Sequence, residues 1–155
     1  NSREKINQTI IIKKVKKMAT TTATLTLSST DLLSDSLSVS ATQTLYKAGT
    51  TTGLDGIQYE RLEVPTGDVY DIVDATAGGA NKANKIYIAN KNTTETNYID
   101  VYVAALNIGR LYAGDWMFIP LEAAAATQDV GVEAIGAAQH IEFALIHEGK
   151  TLVAS

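Results

Sequence analysis

Residues 98–103 read Tyr-Ile-Asp-Val-Tyr-Val and alternate between polar or aromatic side chains and aliphatic ones. Successive side chains of a β-strand point to opposite faces, so this pattern predicts a strand with Ile99, Val101 and Val103 on one face and Tyr98, Asp100 and Tyr102 on the other. Aromatic and β-branched residues, which favour strands, supply most of the segment. The stretch is therefore predicted to be a half-buried strand.

Similar short runs lie on both sides of this stretch, separated by residues that favour turns. From residue 18 to residue 46, Thr and Ser alternate with apolar residues, which is the pattern of half-buried strands. The other predicted strands are residues 57–64, 69–74, 85–90, 98–104, 110–112, 116–121, 130–135 and 140–147. Turns are predicted at residues 55–56, 65–68, 107–109, 113–115 and 136–139, where Gly, Pro, Asn and Asp are frequent.

About eight to ten short strands at this spacing predict an all-β fold. The expected form is an antiparallel β-sandwich or barrel, jelly-roll-like, with an extended N-terminal arm. Residues 74–84 are small and Gly-rich and are predicted to be an exposed loop. Residues 122–128 are the one stretch with helical character, although a loop packed by small side chains fits them equally.

The charge of the chain is unevenly distributed along its 155 residues. Residues 1–17 hold six basic residues and one acidic residue, a net charge of +5, and the remaining seven basic and sixteen acidic residues give −9. The chain is accordingly predicted to comprise a basic arm over residues 1–17 and one β-sandwich domain over residues 18–155. The arm is interpreted as a segment that lies on an acidic neighbour, as a solvated tail, or as an extension upstream of a start at Met18.

The composition offers little material for catalysis. There is no cysteine, which excludes disulfides, thiolate nucleophiles and Cys-based zinc sites. The two histidines, His140 and His147, are seven residues apart on one predicted strand and therefore point to opposite faces. Asp68, Asp71 and Asp74 lack the spacing of an EF-hand loop. The sequence thus predicts no enzyme and no metal or cofactor site.

Two classes of partner are also not expected. The acidic balance differs from the basic domains of nucleic-acid binders, and no apolar run approaches the roughly 20 residues that cross a bilayer. Aromatic and basic residues are better candidates for contacts with other proteins, because Tyr and Trp are frequent in interfaces. The candidate interface residues are Lys13, Lys14, Lys16, Lys17, Tyr98, Tyr102 and Trp116.

Three segments carry a resemblance to a known class of proteins. Residues 85–90, residues 98–103 and residues 108–121, with the pattern Gly-x-x-x-x-Gly-Asp-x-x-x-Ile-Pro in the last, resemble small virion structural proteins of tailed phages, especially those infecting marine cyanobacteria. The Thr- and Ser-rich opening over residues 19–47 adds to this resemblance. The resemblance covers residues 18–148 and includes no catalytic signature.

The resemblance implies a capsid decoration or cement protein on the outer surface of the phage head. The implied partners are the major capsid protein or other virion proteins, together with further copies of the chain on the particle. A tail, fibre or baseplate accessory protein is the alternative within the virion. A carbohydrate-binding β-sandwich that stacks sugars on Tyr and Trp116 is the alternative outside it.

Overall fold

The fold consists of β-strands throughout the part of the chain that the computed structural model describes, residues 20–32, 34–74, 79–123 and 129–148. The strands, in chain order, are β1 (Thr21–Ser29), β2 (Leu37–Leu45), β3 (Gly56–Val64), β4 (Tyr70–Val73), β5 (Gly79–Asn90), β6 (Tyr98–Val103), β7 (Leu106–Tyr112), β8 (Trp116–Ala123), β9 (Val130–Ile135) and β10 (Gln139–His147). The predicted all-β fold is confirmed.

Eight of the strands form two four-stranded antiparallel sheets. One has the order β3-β10-β5-β8 and the other has the order β4-β9-β6-β7. The strand pairs are those of one long hairpin that is folded over on itself. They are β3 with β10, β4 with β9, β5 with β8 and β6 with β7. This is the double-sheet arrangement of a jelly roll, so the predicted jelly-roll-like sandwich is confirmed.

The core lies between the two sheets and follows from the alternation of side chains along each strand. Inward-facing residues of both sheets form one continuous apolar cluster. Its fully buried members include Phe143, Ile86 and Ile88 from one sheet and Ile99, Val101 and Val132 from the other. Burial of each such side chain stabilises the fold by about 1.5–3 kcal/mol. Ile99 and Val101 were predicted to be buried from the alternation of residues 98–103, and they are.

The first two strands form a separate element. β1 and β2 pair with each other in a two-stranded antiparallel ribbon and with neither four-stranded sheet. Both segments were predicted to be strands, which is confirmed, but most of their residues are exposed rather than half-buried. The alternation of apolar and polar residues specified the strands correctly and carried no information about which surface covers them.

One prediction about the loops is wrong, and a second is wrong at its first residues. Residues 79–84 belong to β5 rather than to an exposed loop, and Asn84 is buried. Its side-chain oxygen accepts a hydrogen bond from the backbone N–H of Glu148 at 2.8 Å, whereas its Nδ2 has no hydrogen-bond partner among the described residues. Glu122 lies in β8 and is not helical. Residues 124–128, the rest of the stretch with helical character, lie outside the described residues.

The hairpin between β6 and β7 also turns at a different place from the one predicted. Asn107 and Gly109 are inside β7, and the chain reverses at Ala104 and Ala105, whose φ angles are 52° and 63°. Two consecutive positive φ values are those of a two-residue type I′ turn. Alanine tolerates this conformation poorly because its Cβ approaches the following carbonyl oxygen, and the sequence therefore gives no turn signal here.

Replacing Ala105 by glycine is expected to stabilise the protein. Glycine removes the steric cost of a left-handed residue, which is about 1–2 kcal/mol. It also increases the conformational entropy of the unfolded chain, which lowers the free energy of unfolding by about 0.4–1 kcal/mol. Urea denaturation should therefore show a free energy of unfolding higher by about 0.5–1 kcal/mol for Ala105→Gly. Ala137→Gly, at an exposed turn position without positive φ, is the control and should destabilise. A loss of stability in Ala105→Gly would contradict this account.

A buried carboxylate connects three segments at one end of the sandwich. Oε2 of Glu148, which follows β10, accepts hydrogen bonds from the backbone N–H of Ala48 at 2.9 Å and from that of Ala83 at 2.8 Å. Burial raises the pKa of this carboxyl, but the two backbone hydrogen bonds and nearby lysines outweigh it, and the pKa lies below its ordinary value. Glu148 thereby joins the loop after β2 to β5 and to the end of β10.

The lowered pKa makes this connection sensitive to acid. Because the folded-state pKa of Glu148 is below the unfolded value near 4.5, its stabilisation is fully present above that pH and is lost as the pH falls through the folded-state value. Glu148→Gln is expected to lower the free energy of unfolding at pH 7 by about 1–2 kcal/mol. Denaturant titrations from pH 7 to pH 2 should show this difference shrinking in acid. Glu95→Gln, in an exposed turn, is the control, and a difference that stays constant down to pH 2 would refute the prediction.

Candidate functional site

An aromatic row crosses the outer face of the sheet β3-β10-β5-β8. The strand register places Tyr59 opposite Ala144, Ala144 opposite Tyr87, and Tyr87 opposite Phe118. Trp116 lies two residues before Phe118 on the same face, and its ring centroid is 6.3 Å from that of Tyr87 with the planes inclined by 42°. Burial is the main cause that raises the pKa of the Tyr87 hydroxyl. The four rings thus form one outward-facing apolar surface.

The ribbon β1-β2 has two faces of different chemistry. Its strands pair Leu25 with Ala41 and Leu27 with Val39, so these residues share one face. The other face carries only hydroxyl side chains, those of Thr22, Thr24, Thr26, Ser28, Ser38, Ser40, Thr42 and Thr44. No residue of either strand is charged. The ribbon is therefore amphipathic, with an apolar face and a hydroxyl face.

Among the described residues, packing partners are found for the base of the apolar face. Ala23 and Leu45 pack at the end of the sheet against Ile146 and Leu54. Further along the ribbon Leu25, Leu27 and Val39 are 38%, 47% and 41% exposed. A two-stranded ribbon is marginally stable without packing against another element. The described residues thus anchor the ribbon at its base and leave Leu25, Leu27 and Val39 of the apolar face partly exposed.

A groove of about 660 Å³ separates the ribbon from the sheet. Leu25 and Ala41 of the ribbon contribute to its wall, and Tyr87, Trp116 and Phe118 form its floor. None of its thirteen lining residues is charged. Trp116 remains 52% exposed although it stands at the floor. This uncharged groove, bounded by aromatic rings and by a projecting ribbon, is the candidate functional site.

A charged row borders the groove. Arg61, Glu142, Ala89 and Trp116 occupy one row of the four strands, and the Arg61 Nε lies 2.8 Å from the Glu142 Oε2. A hydrogen bond from Tyr59 and the neighbouring guanidinium lower the pKa of Glu142 against the effect of its burial. Glu142 is therefore ionised at neutral pH, and its charge is paired within the chain.

The outer face of the other sheet carries a second aromatic cluster. The Arg110 guanidinium lies 3.7 Å above the centre of the Tyr98 ring and donates to Asp100 through Nε at 2.9 Å. These bonds raise the pKa of Arg110 above its ordinary value. The ring of Tyr112 is 5.4 Å from that of Tyr98. Tyr98 is thus held by contacts within its own sheet.

The predicted interface residues do not share one surface. Tyr98 and Tyr102 are outward-facing on β6, as the alternation predicted, and Tyr102 donates a hydrogen bond to Glu133 at 2.9 Å. Trp116 lies on the opposite sheet, so one partner surface cannot contact all three residues at once. Lys13, Lys14, Lys16 and Lys17 lie outside the described residues.

Of the four rings in the aromatic row, only that of Trp116 is among the predicted interface residues. Tyr59 and Tyr87 reach Trp116 only through pairings between distant strands, which the sequence does not reveal. Phe118 carried a local signal, since two residues of spacing on a predicted strand place it on the face of Trp116. The uncovered state of Leu27 and the rest of the ribbon follows from the topology alone.

The two histidines lie on opposite faces of β10, and the described acidic residues do not gather into a metal site. His140 faces outward, with its Nε2 3.3 Å from Glu63, while His147 is buried on the inner side, so the predicted opposite orientation is confirmed. Burial and the charges of Asp129 and Asp74 raise the pKa of Asp71. Across the described ranges, no group of three His, Asp or Glu side chains is placed to hold a metal ion.

Comparison of the chain with known protein families, with curated proteins and with solved structures yields no match in any of the three. Within the part of the chain described by the structure, there is also no helix long and apolar enough to cross a membrane.

The contacts around Tyr98 predict that replacing Arg110 by lysine destabilises the protein more than replacing Arg61 by lysine does. Arg110 combines ring stacking with two bonds to Asp100, at 2.9 and 3.4 Å, and a lysine cannot reproduce the planar fork or the stacking. Arg61, whose side chain is 70% exposed, is the matched control on the other sheet. Thermal unfolding followed by circular dichroism should show a larger loss for Arg110→Lys than for Arg61→Lys. Equal midpoints for the two variants would argue against the cluster.

Proposed function

We propose that the chain is a structural virion protein that decorates the outer surface of a tailed-phage head. In this proposal it binds the shell of major capsid protein as many copies, performs no reaction, and contributes stability through contacts repeated over the particle. The observation that carries the proposal is the amphipathic ribbon. It projects from a rigid sandwich and keeps its distal apolar face uncovered.

The jelly-roll topology supports the same proposal. Two four-stranded sheets in this order are a recurrent architecture of viral capsid domains, of lectins and of cupins. A fold by itself does not define a function, so the topology limits the candidates and the surface must distinguish among them. An uncovered apolar ribbon suits a subunit of an assembly, because exposed apolar surface is usually covered by a partner.

Carbohydrate binding is the second candidate, and the floor of the groove favours it. The rings of Trp116 and Tyr87 are close together and partly exposed, which is the kind of platform on which a sugar face stacks. The hydroxyl groups of Thr22 and Thr24 lie at the border of the same groove. Binding on a glycan array that disappears in Trp116→Ala would favour this role over decoration.

The number of copies per particle tests the proposal directly. Quantitative mass spectrometry of purified virions should find hundreds of copies of the chain for each particle if it decorates a head of repeated capsid subunits. About a dozen copies or fewer would reject decoration in favour of a tail, fibre or baseplate component.

The contribution of the ribbon is tested by aspartates on its two faces. Leu27→Asp places a charge on the apolar face and is expected to weaken binding to purified heads at least about tenfold, because a buried contact would have to accept an unpaired carboxylate. Thr26→Asp, one residue away on the hydroxyl face, adds the same charge and is the matched control. Co-sedimentation with heads measures both, and equal binding by the two variants would show that the apolar face does not contribute.

A further inference from the structure

We propose that the groove receives the distal apolar half of the ribbon from a second copy of the same chain. In this arrangement Leu27 and Val39 of one copy lie against Trp116 and Phe118 of the other. The inference deepens the proposed function by naming the neighbour that the ribbon contacts. It concerns purified protein alone, so its failure is distinguishable from a failure to bind phage heads.

The first argument is the match between two uncovered apolar surfaces. The apolar face of the ribbon continues beyond its anchored base through Leu25, Leu27 and Val39. The groove offers partly exposed rings at its floor, and its wall includes Leu25 and Ala41 of the apolar face of its own ribbon beside threonines of the hydroxyl face. A second ribbon seated there would cover the floor and the wall in one step. Both surfaces would lose apolar contact with water, which is the main driving force for association.

The second argument is charge. The chain beyond residue 17 carries a formal charge of −9, so two copies repel each other over most of their surfaces. Neither strand of the ribbon contains a charged residue, and none of the groove residues is charged. The ribbon and the groove can therefore meet with no like-charge contact and no buried ion. A strongly basic partner would instead favour an acidic lining, which the groove lacks.

The third argument is the free edge of the sheet beside the groove. β8 is an edge strand of β3-β10-β5-β8, and no strand among the described residues pairs with its outer side. Trp116 and Phe118 stand on this strand. The ribbon strands likewise have one neighbour each. Because no described strand continues the sheet past β8, an incoming ribbon can reach Trp116 and Phe118 from that side.

The proposed arrangement is a symmetric exchange. Each copy possesses one ribbon and one groove, so two copies related by a two-fold axis make the same contact twice. Doubling the contact helps to reach the roughly 1,200–2,000 Å² that stable interfaces bury. The ribbon then acts as the element that links adjacent copies.

Trp116 provides the first readout, because it is the single tryptophan of the chain and stands in the groove. As the concentration of purified protein rises, sedimentation velocity should show dimer formation, and the emission of Trp116 should shift to shorter wavelength in parallel as the ring is covered. Leu27→Asp should remain monomeric with constant emission over the same range. Thr26→Asp should behave as the unmodified protein.

A mixing experiment tests the pairing of ribbon with groove. Phe118→Asp disables the floor of the groove and should be monomeric by itself, as Leu27→Asp is. In a mixture, the intact ribbon of Phe118→Asp can enter the intact groove of Leu27→Asp, so a one-to-one complex should form with one contact in place of two. Circular dichroism and thermal unfolding establish that each variant is folded, and Trp116→Ser serves as a second floor variant.

Cysteine cross-linking identifies the contacting residues, since the chain contains no cysteine of its own. Differently tagged Val39→Cys and Phe118→Cys proteins should form a mixed disulfide under oxidation, whereas Ser40→Cys on the hydroxyl face should not pair with Phe118→Cys. The proposal is overturned if the protein is monomeric at all concentrations, if Leu27→Asp and Thr26→Asp dimerise equally, or if the mixture of monomeric variants shows no complex. Glycan binding that is lost in Trp116→Ala, without dimerisation of the unmodified protein, would also overturn it.

Discussion

The pairing of β10 with β3 and β5 is the constraint on which the rest of the structure depends. β10 lies between these strands and pairs with β3 along its whole length, from Gln139 opposite Val64 to His147 opposite Gly56. Because the partner strands are far apart in sequence, the entropic cost of closing the intervening loops must be overcome before these contacts can form. Once β10 is in place, it supplies Phe143 to the core and Ala144 to the centre of the outer face. The same strand thus completes the sandwich and aligns the aromatic row.

The core and the candidate site both depend on the alternation of side chains between the two faces of each strand. Ile88 points into the sandwich, while its neighbour Tyr87 points out to the groove. Met117 packs against the core, while Trp116 and Phe118 on either side of it face outward. A shift of one residue in any of these pairings would bury the rings and expose the aliphatic side chains. The packing of the core therefore fixes the register of the surface, and the groove has a rigid floor.

Much of the fold was predictable because its signal is local. The alternation of residues 98–103 gave the buried face of β6, and the spacing of strands and turns gave the class of fold. The errors arose where tertiary contacts override local preference. Asn84 lies within a strand because it pairs with Leu121 of β8, and Ala105 holds a left-handed turn because the flanking strands are paired.

The candidate site was less predictable than the fold, for a related reason. Tyr98 and Trp116 were equivalent as exposed aromatics on predicted strands. Only the topology assigns them to different sheets and gives Tyr98 to Arg110. The exposed state of Leu27 was equally hidden, because an alternating sequence looks the same whether its apolar face meets a core or a second molecule.

The ribbon separates its polar and apolar side chains onto two faces. Exposed strands are commonly protected from association by charged residues or proline, and the strands β1 and β2 contain neither. Instead, one face consists of threonine and serine, whose hydroxyls are well solvated, while the apolar side chains are confined to the other. Hydroxyl groups protect a strand from non-specific pairing less strongly than charged groups do. Bringing them near another uncharged surface, however, has a lower desolvation cost than bringing charged groups there. A strand that must remain soluble alone and still accept a neighbour is best served by this composition. The absence of charge on the ribbon therefore agrees with the proposed contact with another uncharged surface.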